Sequence, residues 1–140
     1  MSYLLDTCVL SEFSRRIPSE SVARWLEQQE EPTLFITTLS IGEIERGIAA
    51  VRNDARRRRL RTFLENSIVE RFRTRLLETD EAVWRRWGAL TGSAQRTGRV
   101  LPAIDALLAA VALTHGLTVV TRNDKDFLSC GVPVVNPWKD

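Results

Sequence analysis

The chain has 140 residues, of which 44% are hydrophobic and 27% charged, with a net charge of +2. That length suits one compact domain able to bury a core, and the small net charge alone gives no argument for a nucleic-acid partner. Two cysteines and one histidine argue against a disulfide framework and a structural zinc site.

No stretch approaches the ~20 apolar residues of a membrane span, and no basic-then-apolar leader opens the chain. The expectation is a single soluble domain over residues 1–140 in a reducing, cytoplasmic setting with no membrane role. In chain order, "SYLLD" reads as a short buried strand that ends on Asp6. A helix follows from near Thr7, with Leu10 and Phe13 on one face. Pro18 and Ser19 start a second helix carrying Val22, Trp25 and Leu26 at helical spacing. "TLFITT", rich in β-branched residues, is a second strand. "LSIGEIERGIAAVRN" is helical, and the Arg-rich segment after it continues as a helix through "RLRTFLENSIVERF".

"RTRLLETD" contains a short edge strand, and "DEAVWRRWGALTGSAQRTG" is an amphipathic helix with Val83, Trp84, Trp87 and Leu90 as its stripe, ended by Gly98. "PAIDALLAAVALTHG" is an almost wholly apolar helix closed by Gly116. "LTVVT" and "VPVVN" are the last strands. Short apolar strands alternating with helices predict an α/β fold: a parallel sheet of about four to five strands with helices on both faces. Ligands of such folds gather beyond the carboxyl ends of the strands. Asp6 directly follows the first strand, and Asn123, Asp124 and Asp126 follow "LTVVT".

Each acid has a plain structural reading. Asp6 suits a helix N-cap, and Ser40 with Glu43 has the spacing of a capping box, unless that helix starts at Thr38. Asp105 follows Pro102 in a first helical turn, where negative charge complements the dipole, although Ile104, Leu107, Leu108 and Val111 leave little polar surface around it. Asp124 and Asp126 lie where a loop-to-helix cap is ordinary. Taken together they argue differently. Carboxylates converging on one rim raise each other's pKa and are tolerated when a cation neutralises them. Oxygen donors without His or Cys select Mg²⁺ or Mn²⁺, which bind phosphate, activate water and stabilise a leaving oxygen.

The order Asp6, Glu43, Asp105 and "TRNDKDF", with "LLDTCVLSE", "TTLSIGEIERGI", "LPAIDALLAAVALTHGLTVVTRNDKDF" and "VPVVNPW", resembles the PIN-domain ribonucleases over nearly the whole chain. It is most similar to VapC-type toxins of toxin–antitoxin pairs, on the FitB-like branch. The resemblance implies a PIN fold, Mg²⁺- or Mn²⁺-dependent endoribonuclease activity, neutralisation by a cognate antitoxin and a homodimer that pairs further. It maps catalytic roles to Asp6, Glu43, Asp105 and Asp126. Metal ligation falls to Asp6, Asp105 and Glu43 with Asp124, and support to Thr7, Thr121 and Asn123. Which of Asn123, Asp124 and Asp126 is the fourth site residue stays open. Cys8 departs from the Asn that often follows "DT" in the family, and a thiol is the weaker hydrogen-bond partner. The alternative is a catalytically degenerate PIN-type module that binds RNA without cutting it.

"RNDARRRRLR" carries six Arg, and Arg56 to Arg59 form either a solvated face or an RNA-backbone contact. Four consecutive Arg cover all sides of a helix, so they do not all face one ligand.

Overall fold

The computed structural model describes residues 1–139. Five strands form one all-parallel sheet: β1 (Tyr3–Leu5), β2 (Leu34–Thr37), β3 (Leu76–Leu77), β4 (Thr118–Val120) and β5 (Val134–Val135). Their spatial order is β3-β2-β1-β4-β5. The helices are α1 (Thr7–Glu12), α2 (Glu20–Glu27), α3 (Thr38–Ala49), α4 (Asp54–Phe63), α5 (Glu81–Arg96), α6 (Ala103–His115) and α7 (Asp124–Leu128). This is the α/β architecture expected from the sequence, and "RTRLLETD" does supply the edge strand.

Alternation along the strands divides the core in two. Leu4 and Val119 face one side, against Val83 of α5 and Leu108 and Val111 of α6. Leu5 and Val120 face the other, against Val9, Leu10, Val22, Ile48 and Ile68. Side chains of Leu4, Leu5, Val119 and Val120 are wholly buried, which is why the central strands read as unbroken apolar runs. By the same alternation Asp6, one residue beyond β1, lies on the Leu4 side, toward α6.

Several local expectations need correction. Helix α3 starts at Thr38, with Thr37 as its N-cap accepting from the Ser40 N–H at 3.2 Å. The capping box of Ser40 and Glu43 is therefore not formed, and the Glu43 carboxylate is left for another partner. The Arg-rich helix does not run regularly to Phe72. After Phe63 it widens into a π-helical turn over Leu64–Val69, where the Glu70 N–H reaches the Glu65 carbonyl at 3.0 Å. That turn brings Leu64 and Ile68 into the core. In α5 the predicted stripe is only partly inward: Val83 is buried, whereas Trp84 is 46% exposed. Gly116 takes the left-handed conformation (φ 68°) expected of the residue that ends α6.

Glu31 ties the turn before β2 to the segment before β3. It accepts from Arg71 Nε at 2.7 Å and Nη2 at 2.9 Å, and from Arg75 Nη2 at 2.9 Å. Both guanidiniums also lie over the Phe72 ring, at 5.1 and 4.8 Å. The Arg71 hydrogen bonds, then those of Arg75, hold the Glu31 carboxyl down at about 2, against an ordinary 4.5. A depressed carboxyl stabilises the fold above its unfolded pKa and ceases to do so as pH falls through the folded one. Glu31 is 45% exposed, so solvent screens much of the attraction. Glu31→Gln is expected to lower the unfolding free energy at pH 7 by about 1 kcal/mol. In denaturant titrations that deficit shrinks as pH falls from 4.5 toward 2.

Candidate active site

The chain lays β2 and β3 on one side of β1, then crosses to place β4 and β5 on the other. The switch falls between β1 and β4, where an open parallel sheet leaves a crevice at the strands' carboxyl ends. Leu5 pairs with Val120, and the Asp6 N–H continues the ladder to the Val120 carbonyl at 3.0 Å. Asp6 and Thr121 thus leave the sheet side by side, although 115 positions separate them.

Asp6 is 6% exposed and held at both oxygens. Oδ1 accepts from the Thr7 N–H at 2.7 Å, and Oδ2 accepts from the Thr121 hydroxyl at 2.8 Å. It is the N-cap residue of α1, as its position after β1 suggested. The second oxygen, however, is committed to a residue from another strand. The Cys8 thiol lies 3.7 Å from Oδ2, so the strong partner at that oxygen is the Thr121 hydroxyl. Burial nonetheless pushes the Asp6 carboxyl above its ordinary pKa, with the hydrogen bonds from Thr121, Thr7 and Cys8 opposing it. The Cys8 thiol is raised to about 11 by burial and by the adjacent Asp6 charge, which makes it an inert thiol rather than a nucleophile.

Thr7 donates its hydroxyl to Glu43 Oε1 at 2.7 Å. The carboxylate freed from the capping box is thereby turned toward the start of α1. Asp105 stands in the first turn of α6, where no side chain caps the helix. Its carboxyl is pushed up to about 6, first by burial. The charges of Asp6 and Asp126, a hydrogen-bonding contact with Asp126 and the charge of Glu43 add to this. Asp105 is therefore the acid that feels the charges of the other three.

Asp124 and Asp126 part company. Asp126 is among the groups raising Asp105. Asp124 accepts from Lys139 Nζ at 2.7 Å and from the Lys125 N–H at 3.1 Å, and Lys139 holds its pKa low. The Asn123 N–H donates to the Thr121 hydroxyl oxygen at 3.0 Å, bracing the residue that braces Asp6. Among the described residues no three His, Cys, Asp or Glu side chains are grouped tightly enough to clasp one ion as they stand. Oxygen-only donors that neighbour one another loosely suit a hard cation that keeps several waters and meets each carboxylate directly or through water.

His115 lies at the far end of α6, ten residues from Asp105 and so about 15 Å along the axis, too distant for a general base. Trp25 packs edge-on to Tyr3 at 4.9 Å, and Trp138 lies under Arg122 at 4.5 Å. The sequence reading passed over Glu12 and Arg122. Glu12 is 3% exposed and accepts from Arg15 Nη1 at 3.1 Å and the Ser19 N–H at 3.2 Å, with Arg122 Nη2 3.5 Å away. Its signal was an acid flanked on α1 by Leu10 and Phe13, the anomaly already noted for Asp105. The Arg run is sorted by its partners. Arg57 is bound to Asp54 and to the Val51 carbonyl, and Arg61 to Glu45.

A family model described as the PIN domain matches residues 3–131. The chain is 35% identical over 137 residues to the toxin FitB of Neisseria gonorrhoeae, covering 98% of this chain and 99% of that one. It is 31% identical over 136 residues to the VapC ribonuclease Y4jK of Sinorhizobium fredii, covering 97% of each. The crystal structure of FitAcB from Neisseria gonorrhoeae superposes with a TM-score of 0.91 at 34% identity, covering 97% of this chain and 98% of that one. With a buried Asp6 at the switch point of a five-stranded parallel sheet, a family model spanning residues 3–131 and these full-length likenesses, the chain belongs to the PIN-domain family.

Proposed function

We propose that this protein is a divalent-metal-dependent endoribonuclease, the toxin of a toxin–antitoxin pair, folded as a single domain over its 140 residues and acting in the cytoplasm. The observation that carries this is the crowding of Asp6, Asp126 and Glu43 around Asp105, whose carboxyl they help push up to about 6. Full-length likeness to proteins named as a ribonuclease and as a toxin supports the same reading. A cognate antitoxin is the corresponding partner. A homodimer is supported by Trp84 and Ile104, each 46% exposed on the adjoining helices α5 and α6.

Asp6 and Asp105 would hold Mg²⁺ or Mn²⁺, with Glu43 and Asp126 completing the set directly or through water. When bound, such an ion supplies charge neutralisation at the scissile phosphate and an activated water. The chain's own contribution is rigidity and proton bookkeeping. Thr121 and the Thr7 N–H fix both oxygens of Asp6. The Thr7 hydroxyl orients Glu43. The Asp105 carboxyl, raised to about 6 by burial and by the neighbouring acids, is eased by positive charge, so the crevice favours a cation over a bare phosphate. Asp124 stays bound to Lys139 and buttresses the start of α7.

Incubation of the purified, antitoxin-free chain with RNA is expected to give cleavage with Mn²⁺ or Mg²⁺ and none with EDTA. Asp6→Asn is expected to cut ~10²- to 10³-fold more slowly, by analogy with the loss of one electrostatic catalytic group, with an unchanged circular-dichroism spectrum. RNA retained without cleavage under all conditions would instead favour the degenerate binding module.

The raised Asp105 pKa predicts a stability effect of opposite sign to that of Glu31. Between pH 3.8 and about 6 the folded state keeps a proton that the unfolded chain has lost, so stability falls as pH rises through that window. Above it the full cost of the charged cluster is present. In metal-free buffer at pH 7, Asp105→Asn is therefore expected to raise the unfolding free energy, by about 1 kcal/mol once solvent screening of this half-exposed group is allowed for. Added Mn²⁺ should raise the melting temperature of the wild type and leave that of the variant nearly unchanged. A destabilised metal-free variant would contradict the assignment.

A further inference from the structure

A second feature lies at the other end of α1. A groove of about 950 Å³ opens between residues 13–17 and the outer face of α4, lined by Arg15, Arg16, Arg56 and Arg59 with Phe13 and Phe63. The Arg run is thus divided by the helix. Arg57 is tied to Asp54, whereas Arg56 and Arg59 turn into the groove. Among the described residues no carboxylate pairs with Arg16, Arg56 or Arg59, and all three are exposed. Three uncompensated guanidiniums converging on one concavity repel each other, and an anion with several charges at guanidinium spacing relieves that repulsion.

Two details bear on the anion. Phe13 and Phe63 line the groove beside the charges, although both also pack on the core and Arg71 lies over the Phe13 ring at 5.0 Å, and a cationic groove with aromatic lining is a combination that binds single-stranded nucleic acid. Between the groove and Asp6 stand two arginines that share one carboxylate. Arg122 follows Thr121, which holds Asp6, and buried Glu12 sits between Arg122 and Arg15 at 3.5 and 3.1 Å. Helix α1, six residues and so about 9 Å long, separates the two ends. At the ~3.4 Å spacing of stacked nucleotides that is about three nucleotides.

We infer that this arginine groove is a binding site for the phosphate backbone of single-stranded RNA, holding the strand about three nucleotides from the bond at the acid cluster. The inference rests on the nuclease reading for its second half only. The groove would bind RNA whether or not the acids cut it. It makes Arg16, Arg56 and Arg59 determinants of affinity for long substrates and leaves the chemistry at Asp6 and Asp105 untouched.

The test is fluorescence anisotropy of the full chain with a labelled 15-nucleotide single-stranded RNA in EDTA, across a salt series. Two variants carry the same charge loss. One replaces Arg16, Arg56 and Arg59 with Gln, and the other replaces Arg58, Arg86 and Arg96, which lie outside the groove. The slope of log K against log salt is expected to fall by about 2 in the groove variant, at ~0.7 per phosphate contact. Affinity at low salt should fall at least tenfold, with little change in the control. Equal losses in both variants, or none in either, would overturn the proposal. So would groove-dependent binding of poly-L-glutamate in the absence of RNA binding, which would reassign the groove to an acidic protein segment. Cleavage of a trinucleotide with Mn²⁺ separates the two readings. A groove variant that still cuts it as fast as wild type is expected. A wild type that binds RNA through the groove but cuts nothing would overturn the nuclease reading and leave the groove standing.

Discussion

The hydrogen bond from the Thr121 hydroxyl to Asp6 Oδ2, at 2.8 Å, is the constraint on which the site depends. It joins the residues that follow the two central strands, β1 and β4, and so translates sheet register into the position of a carboxylate. A one-residue slip in the pairing of Leu5 with Val120 would turn Asp6 to the opposite face. The wholly buried side chains on both faces of these strands make such a slip expensive. The core therefore does more than stabilise the fold. It holds an acid at a fixed place where its burial is unfavourable.

The electrostatics follow from that placement. Asp6 is buried and Asp105 half-buried, and each is raised above its ordinary pKa, mainly by desolvation. Hydrogen bonds lower the pKa of Asp6, whereas Asp105 receives charge from three other acids. Elsewhere the molecule treats acids in the opposite way. The pKa of Glu31 is lowered by Arg71 and Arg75, and that of Glu12 is lowered, against its burial, by the Ser19 N–H and then by Arg15. Paired, stabilised acids elsewhere and destabilised acids in one crevice are the pattern expected where binding or catalysis, rather than folding, sets the residue.

Much of the fold was legible because strands and helices differ in period and in β-branched content. The α/β order, the parallel sheet and its edge strand follow from that. The site was legible where an acid contradicts its surroundings, as Asp6 does after "YLL" and Asp105 does within "AIDALLAAVAL". Where an acid also fits a capping pattern the sequence is ambiguous. Glu43 is released from its apparent capping box only because Thr37, at the end of β2, caps α3 first. Asp124 and Asp126 are separated by Lys139, whose approach to α7 no local spacing encodes. The Arg run read as isotropic until Asp54, Glu45 and the Val51 carbonyl took Arg57 and Arg61 away from it.

Mutual crowding of carboxylates around Asp105 is measured most directly by carbon-13 NMR titration of the Asp side chains in metal-free protein. Asp105 is expected to titrate near 6, and replacing Asp126 with Asn to lower that value. An Asp105 that titrates near its ordinary 3.8, indifferent to Asp126, would contradict it.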